Sequence, residues 1–90
     1  MPPDTLEQLI LALLQHRAPE HDFAASADHV ADGLLDSFDL ITLTTELEDL
    51  FGIDIPGEAV LPEHFANAGT MARLVGALMR GEPVVREVTP

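Results

Sequence analysis

Three short stretches of this chain place leucines and their relatives at the spacing of a helix, and that repeated spacing reads as three amphipathic helices. Leu6, Leu9, Ile10, Leu13 and Leu14 fall at i, i+3, i+4, i+7 and i+8, the pattern of one buried helix face. Asp4, with Glu7 three residues on, reads as the N-cap of this segment, and Pro19 ends it. A second segment runs from Asp36-Ser37 to Phe51-Gly52, with Leu40, Leu43, Leu47, Leu50 and Phe51 on one stripe and Gly52 closing it. A third runs from about Thr70 to Arg80, carrying Met71, Leu74, Val75 and Leu78, and ends at Gly81. Between the last two, Pro56 keeps Ile53–Gly57 extended, and Pro62–Ala66 reads as one short helical turn.

With 90 residues the chain is one domain, burying about 60–65% of its unfolded surface. Apolar residues make up 47%, enough for a small core. The boundaries expected are a domain over 4–81 and a flexible tail over 82–90, where helical patterning stops. Sixteen Asp and Glu against four Arg and no Lys give a net charge of −12. Arg17, Arg73, Arg80 and Arg86 are scattered, so no basic footprint for nucleic acid or anionic lipid exists. The acidity predicts attraction to basic protein surfaces. No cysteine is present, which removes disulfides, a thiol nucleophile and thiolate metal sites. No apolar run nears the roughly 18 residues of a membrane span, and Met1-Pro2-Pro3-Asp4 lacks a basic signal-peptide start. The expected location is the cytoplasm.

The stretch from Ala18 to Leu35 has no clear periodicity, and loops of this length in compact domains tend to be functional. It leads into Asp36-Ser37 at the head of the middle helix. Both residue types favour the N-cap position, so one reading makes them caps only. The other makes Ser37 the bearer of a phosphate ester, which a helix N-terminus stabilises by roughly 0.3–1 kcal/mol through its free N–H groups and partial positive charge. The two readings are compatible, with Asp36 as cap and Ser37 in the first turn. Ser37 is no self-sufficient nucleophile, because no G-x-S-x-G motif surrounds it and the nearest histidine in sequence, His29, lies in the long loop. At about 100° per residue, Phe38, Ile41, Thr42, Thr45, Glu48 and Asp49 form a stripe away from the leucines. That stripe is either a contact surface or a face packed under the loop or the short turn.

These residues resemble a known family. Asp36-Ser37-Phe38-Asp39 is similar to the Asp-Ser-Leu attachment motif of acyl carrier and peptidyl carrier proteins. The run from Val30 to Ser37, the Phe51-Gly52-Ile53-Asp54-Ile55-Pro56 segment and the stretch from Phe65 to Val75 each resemble a further part of it, in order and at matching spacing over residues 4 to 81. The resemblance implies an all-α four-helix bundle with a long loop between helices 1 and 2 and a short third helix. It implies a carrier, not an enzyme, working as a monomer in fatty-acid or secondary-metabolite biosynthesis. Ser37 would receive 4′-phosphopantetheine from coenzyme A through a phosphopantetheinyl transferase. The arm's thiol would hold an acyl or aminoacyl cargo as a thioester for an activating ligase and downstream enzymes, supplying the thiol that the chain lacks. Recognition residues carried over are Asp36, Phe38, Asp39, Ile41, Thr45, Glu48 and Asp49. Phe38 stands where the family usually has leucine, Leu34-Leu35 replaces a Gly-bearing pair, and Thr42 and Thr45 replace an acidic and an apolar residue. The run Gly33-Leu34-Leu35-Asp36-Ser37-Phe38 is closer to D-alanyl and other stand-alone aminoacyl carriers.

Three rival readings use the same residues. Asp28, Asp32, Gly33, Asp36 and Asp39 fall at positions 1, 5, 6, 9 and 12 of a calcium-loop register, but Val30 at position 3 has no side-chain oxygen and position 12 is Asp, not Glu. His16, His21, His29 and His64 match no paired-histidine zinc spacing. The third reading is an unmodified acidic helical adaptor for a basic protein, in which Ser37 serves only as a cap.

Overall fold

The computed structural model describes residues 3–81. Helix α1 spans Pro3–Arg17, α2 spans Ser37–Phe51 and α3 spans Ala68–Met79. Single 3-10 turns lie at Phe23–Ala25, Gly57–Ala59 and Pro62–His64, and the described residues include no strand. None of the described helices is long and apolar enough to cross a membrane. The expectation for 82–90 lies outside the described residues.

The all-α expectation holds, with differences in detail. Helix α1 begins at Pro3, so Asp4 falls inside its first turn and does not precede it. Proline suits that place, since its missing N–H would have no intrahelical partner there. Helix α3 begins at Ala68, two residues before Thr70. Asn67 is its cap, accepting the Thr70 N–H at 2.9 Å while the Thr70 hydroxyl accepts the Asn67 N–H at 3.1 Å. The short helix expected near Pro62 is a 3-10 turn, so three α-helices stand where four were expected among the described residues. Between Pro56 and the Asn67 cap there is room for two 3-10 turns broken by extended Leu61, and 3-10 geometry suits such short pieces.

Leu6, Ile10 and Leu14 of α1, Leu40, Leu43 and Leu47 of α2, and Met71, Leu74 and Val75 of α3 form one core. Helix α1 packs chiefly on α3. Its buried stripe is therefore narrow, and Leu9 is 42% exposed, against the expectation that it faces inward. Leu50 is likewise outside, at 56% exposure. Gly52 ends α2 in the left-handed conformation at φ 65°, which glycine adopts without strain, and the chain turns back so that Ile55 enters the core in its place.

The long first loop is ordered by a few side chains. Phe23 is fully buried, and Gln15 of α1 fixes it by accepting the Phe23 N–H at 2.8 Å and donating to the His21 carbonyl at 2.8 Å. Asp28 accepts the N–H groups of Val30 and Ala31, and Asp32 accepts from the Ser26 hydroxyl. These carboxylates are occupied by the loop itself, and the described residues contain no cluster of metal-binding side chains.

After α2, the Glu48 carboxylate accepts the Ile55 N–H at 2.9 Å and so anchors the returning strand of chain. Its neighbour Asp49 is exposed. Replacing Glu48 with Ala therefore lowers unfolding free energy by about 1–3 kcal/mol, because a part-buried N–H loses a charged acceptor, while Asp49→Ala stays within about 0.5 kcal/mol of wild type. Urea denaturation of the two variants side by side checks this; equal losses would contradict it.

Candidate functional site at the head of α2

Asp36 takes extended backbone angles (φ −106°, ψ −177°) and caps α2. Its carboxylate accepts the Asp39 N–H at 2.9 Å, and the Asp39 carboxylate accepts the Asp36 N–H at 3.1 Å. This is a capping box built from two aspartates. Ser37 is the first residue of the helix proper and is exposed, and its hydroxyl makes no hydrogen bond among the described residues. The cap uses the N–H groups of Asp36 and Asp39 and leaves those of Ser37 and Phe38 without an intrahelical acceptor, beside the Ser37 hydroxyl. An anion bonded to that hydroxyl would lie at the positive end of α2.

The chain before Ser37 is held on both sides. Leu35 is buried, and the N–H groups of Leu34 and Leu35 donate to the His29 carbonyl at 2.8 and 3.1 Å. The His29 N–H donates to the Ala66 carbonyl, just before the α3 cap, and Asn67 Nδ2 donates to the Ala27 carbonyl at 2.9 Å. Gly33 makes the intervening reversal at φ 78°. The serine is thus fixed relative to α3 as well as to its own helix.

Arg17, the last residue of α1, lies beside α2. Its Nη1 is 3.6 Å from Asp39 Oδ1 and its Nε is 3.4 Å from Glu46 Oε2. The Nε makes no hydrogen bond, so the contact is charge attraction only. It offsets part of the negative charge gathered near Ser37.

The residues assigned to recognition divide into two groups. Phe38 and Ile41 are 73% and 64% exposed, so neither packs under the loop or the 3-10 turns. Thr45 and Asp49 are exposed too, and the Thr45 hydroxyl donates weakly to the Ile41 carbonyl at 3.4 Å. By contrast, Asp36 and Asp39 are engaged in the cap and Glu48 holds Ile55. The structure therefore brings Phe38, Ile41, Thr45 and Asp49 to one outward face beside Ser37.

Sequence reasoning missed His29. It is 1% exposed and sits edge-on to Phe23 with ring centroids 5.1 Å apart. Both ring nitrogens lack a hydrogen-bond partner. Burial pushes its pKa below the usual 6.5, against a smaller upward pull from Asp28 and Asp32. A histidine in a polar loop carries no burial signal in sequence; an isolated phenylalanine six residues earlier was the available hint. The other histidines are scattered, with His64 Nδ1 2.7 Å from the Ala59 carbonyl and His21 3.8 Å from Glu20, so no zinc set forms. Arg17 was equally invisible as a partner of α2, because that pairing depends on how α1 lies.

Comparison with known proteins gives one result. The phosphopantetheine attachment site family matches residues 4–76, which include all three helices nearly to the end of α3 and the whole long loop. No curated protein and no solved structure matches the chain. The matched span exceeds half of the 90 residues, and the exposed serine at a capped helix head lies within it. The chain therefore belongs to the phosphopantetheine attachment site family, whose members carry covalently bound 4′-phosphopantetheine, and is a carrier protein of that kind.

Proposed function

We propose that Ser37 is the attachment residue and that the chain is a monomeric, cytoplasmic acyl or aminoacyl carrier with no catalysis of its own. One observation carries the assignment. Asp36 performs the capping task that the adaptor reading gives to Ser37, so Ser37 has no structural employment and an exposed hydroxyl. The chain has one other serine, Ser26, and its hydroxyl is committed to Asp32 at 2.6 Å. The free N–H groups at the head of α2 suit a phosphodiester on Ser37, whose side chain is exposed. When attached, the arm supplies the thiol that holds cargo as a thioester, the chemistry a cysteine-free chain lacks.

The residues' part is to present and to be recognised. The Asp36–Asp39 cap and the His29 contacts fix where the serine points, while Phe38 and Ile41 offer apolar contact flanked by carboxylates. A phosphopantetheinyl transferase, an activating ligase and downstream enzymes with basic surfaces around an apolar patch fit that face. The run Gly33-Leu34-Leu35-Asp36-Ser37-Phe38 favours an aminoacyl cargo of the D-alanyl kind.

Two experiments test this reading. Incubation with coenzyme A and a broad-specificity phosphopantetheinyl transferase adds the mass of one phosphopantetheine to wild type and nothing to Ser37→Ala, read by intact mass. An unmodified wild type, under conditions that modify a control carrier, would sink the assignment. Separately, Phe38→Ala and Ile41→Ala slow that transfer by roughly tenfold, the scale of one lost apolar contact of about 1.4 kcal/mol, without lowering Tm, because both side chains are already in water. An unchanged rate would remove them from the docking face.

A further inference from the structure

His29 joins three parts of the molecule at one residue. Its carbonyl takes the two N–H groups of Leu34 and Leu35, directly before the α2 cap. Its own N–H reaches across to the Ala66 carbonyl, next to the cap of α3. Its ring lies on the buried Phe23 ring, which Gln15 ties to α1. An apolar ring in this place would leave no polar atom unsatisfied, since the imidazole uses neither nitrogen for a hydrogen bond. The cost is real for histidine: an unpartnered buried polar group is destabilising, and a charged one far more so.

We propose that His29 is a proton-sensitive latch that positions Ser37, holding the approach to α2 in place while its ring is neutral and releasing it when the ring is protonated. This rests on Ser37 being the attachment residue. An imidazolium at 1% exposure with no acceptor cannot stay inside the core, so the ring must leave Phe23 for water. The backbone that leaves with it carries the bonds to Leu34, Leu35 and Ala66. The charged groups nearest its own segment are Asp28 and Asp32, which favour the protonated form and draw it outward. On the packed neighbours the titratable groups are Glu7 of α1, which lines a cleft with Phe23, Ala27 and Asn67, His21 and Asp22 beside Phe23, and Glu63 and His64 before α3.

The sign follows from the depressed pKa. The unfolded or released ring binds its proton near 6.5, above the folded ring. The latch is therefore fully engaged above that value and weakens as pH falls through it towards the lower, folded one. Acidification also relieves self-repulsion in a chain of net charge −12, so the comparison with a variant lacking the imidazole isolates the part that belongs to His29.

The test uses wild type and His29→Phe between about pH 7.5 and about pH 5.5, the range in which ordinary histidines titrate. The expected results are a wild-type Tm that drops relative to His29→Phe as pH falls, and a wild-type to variant ratio of phosphopantetheine transfer rates that drops several-fold. The ratio cancels the transferase's own pH response. Parallel Tm curves would overturn the latch, and diverging Tm curves with a constant ratio would overturn its hold on Ser37. NMR of wild type alone decides the matter if the variant does not fold. The amide signals of Leu34, Leu35 and Ser37 should move with the midpoint of the His29 ring, and fixed signals during its titration would overturn the proposal. These spectra report on the latch even when no transfer to Ser37 occurs, so its failure and the failure of the attachment assignment are distinguishable.

Discussion

The reciprocal hydrogen bonds between Asp36 and Asp39 decide what the rest of the site can be. A helix must satisfy its first N–H groups, and the residue doing so is committed to that task. Here Asp36 takes it, at 2.9 Å to the Asp39 N–H, and Asp39 returns the bond at 3.1 Å. Ser37 is then set one position into the helix, exposed and unbonded, with free N–H groups around it. Had the serine been the cap, its hydroxyl would have been an acceptor turned into the helix end and a poor handle for another enzyme.

The surroundings make that position rigid from outside the helix. Leu35 is buried one residue before the cap, His29 holds Leu34 and Leu35, and Ala66 and Asn67 tie the same loop to α3. Arg17 lends α2 a positive neighbour beside Asp39 and Glu46, on the core side of the acidic face. The outward face keeps Phe38, Ile41, Thr45 and Asp49. The acidity of the chain therefore has several local uses, since capping, loop ordering and helix anchoring consume much of it, while Asp49 stays on the outward face.

Local periodicity made the three helices, the Gly52 stop and the Asp36 cap legible from sequence, because each depends on neighbours a few residues apart. The same reasoning placed Leu9 and Leu50 inside, since a stripe in sequence does not state how wide its partner is. The single helical turn read at Pro62–Ala66 is present as a 3-10 turn, whereas the short third helix implied by the family resemblance is not an α-helix here. The loop from Ala18 to Leu35 stood out in sequence by its length, yet its organisation was not legible. Phe23, Gln15, His29 and Asn67 act across long separations, and nothing in the local sequence marks such pairs. The outward face of α2 was half legible: helical geometry gave the stripe, but not that Asp36, Asp39 and Glu48 were already engaged in folding.

The central claim is that one serine, at one place in the first turn of α2, bears the phosphopantetheine. Trypsin should release residues 18–73 as one peptide, since Arg17 and Arg73 bound it, and that peptide contains both serines. Fragmentation of this peptide from the modified protein locates the added group directly. The account predicts that the fragments carrying the extra mass begin at Ser37; the same mass on Ser26, or on any threonine of the peptide, would contradict it.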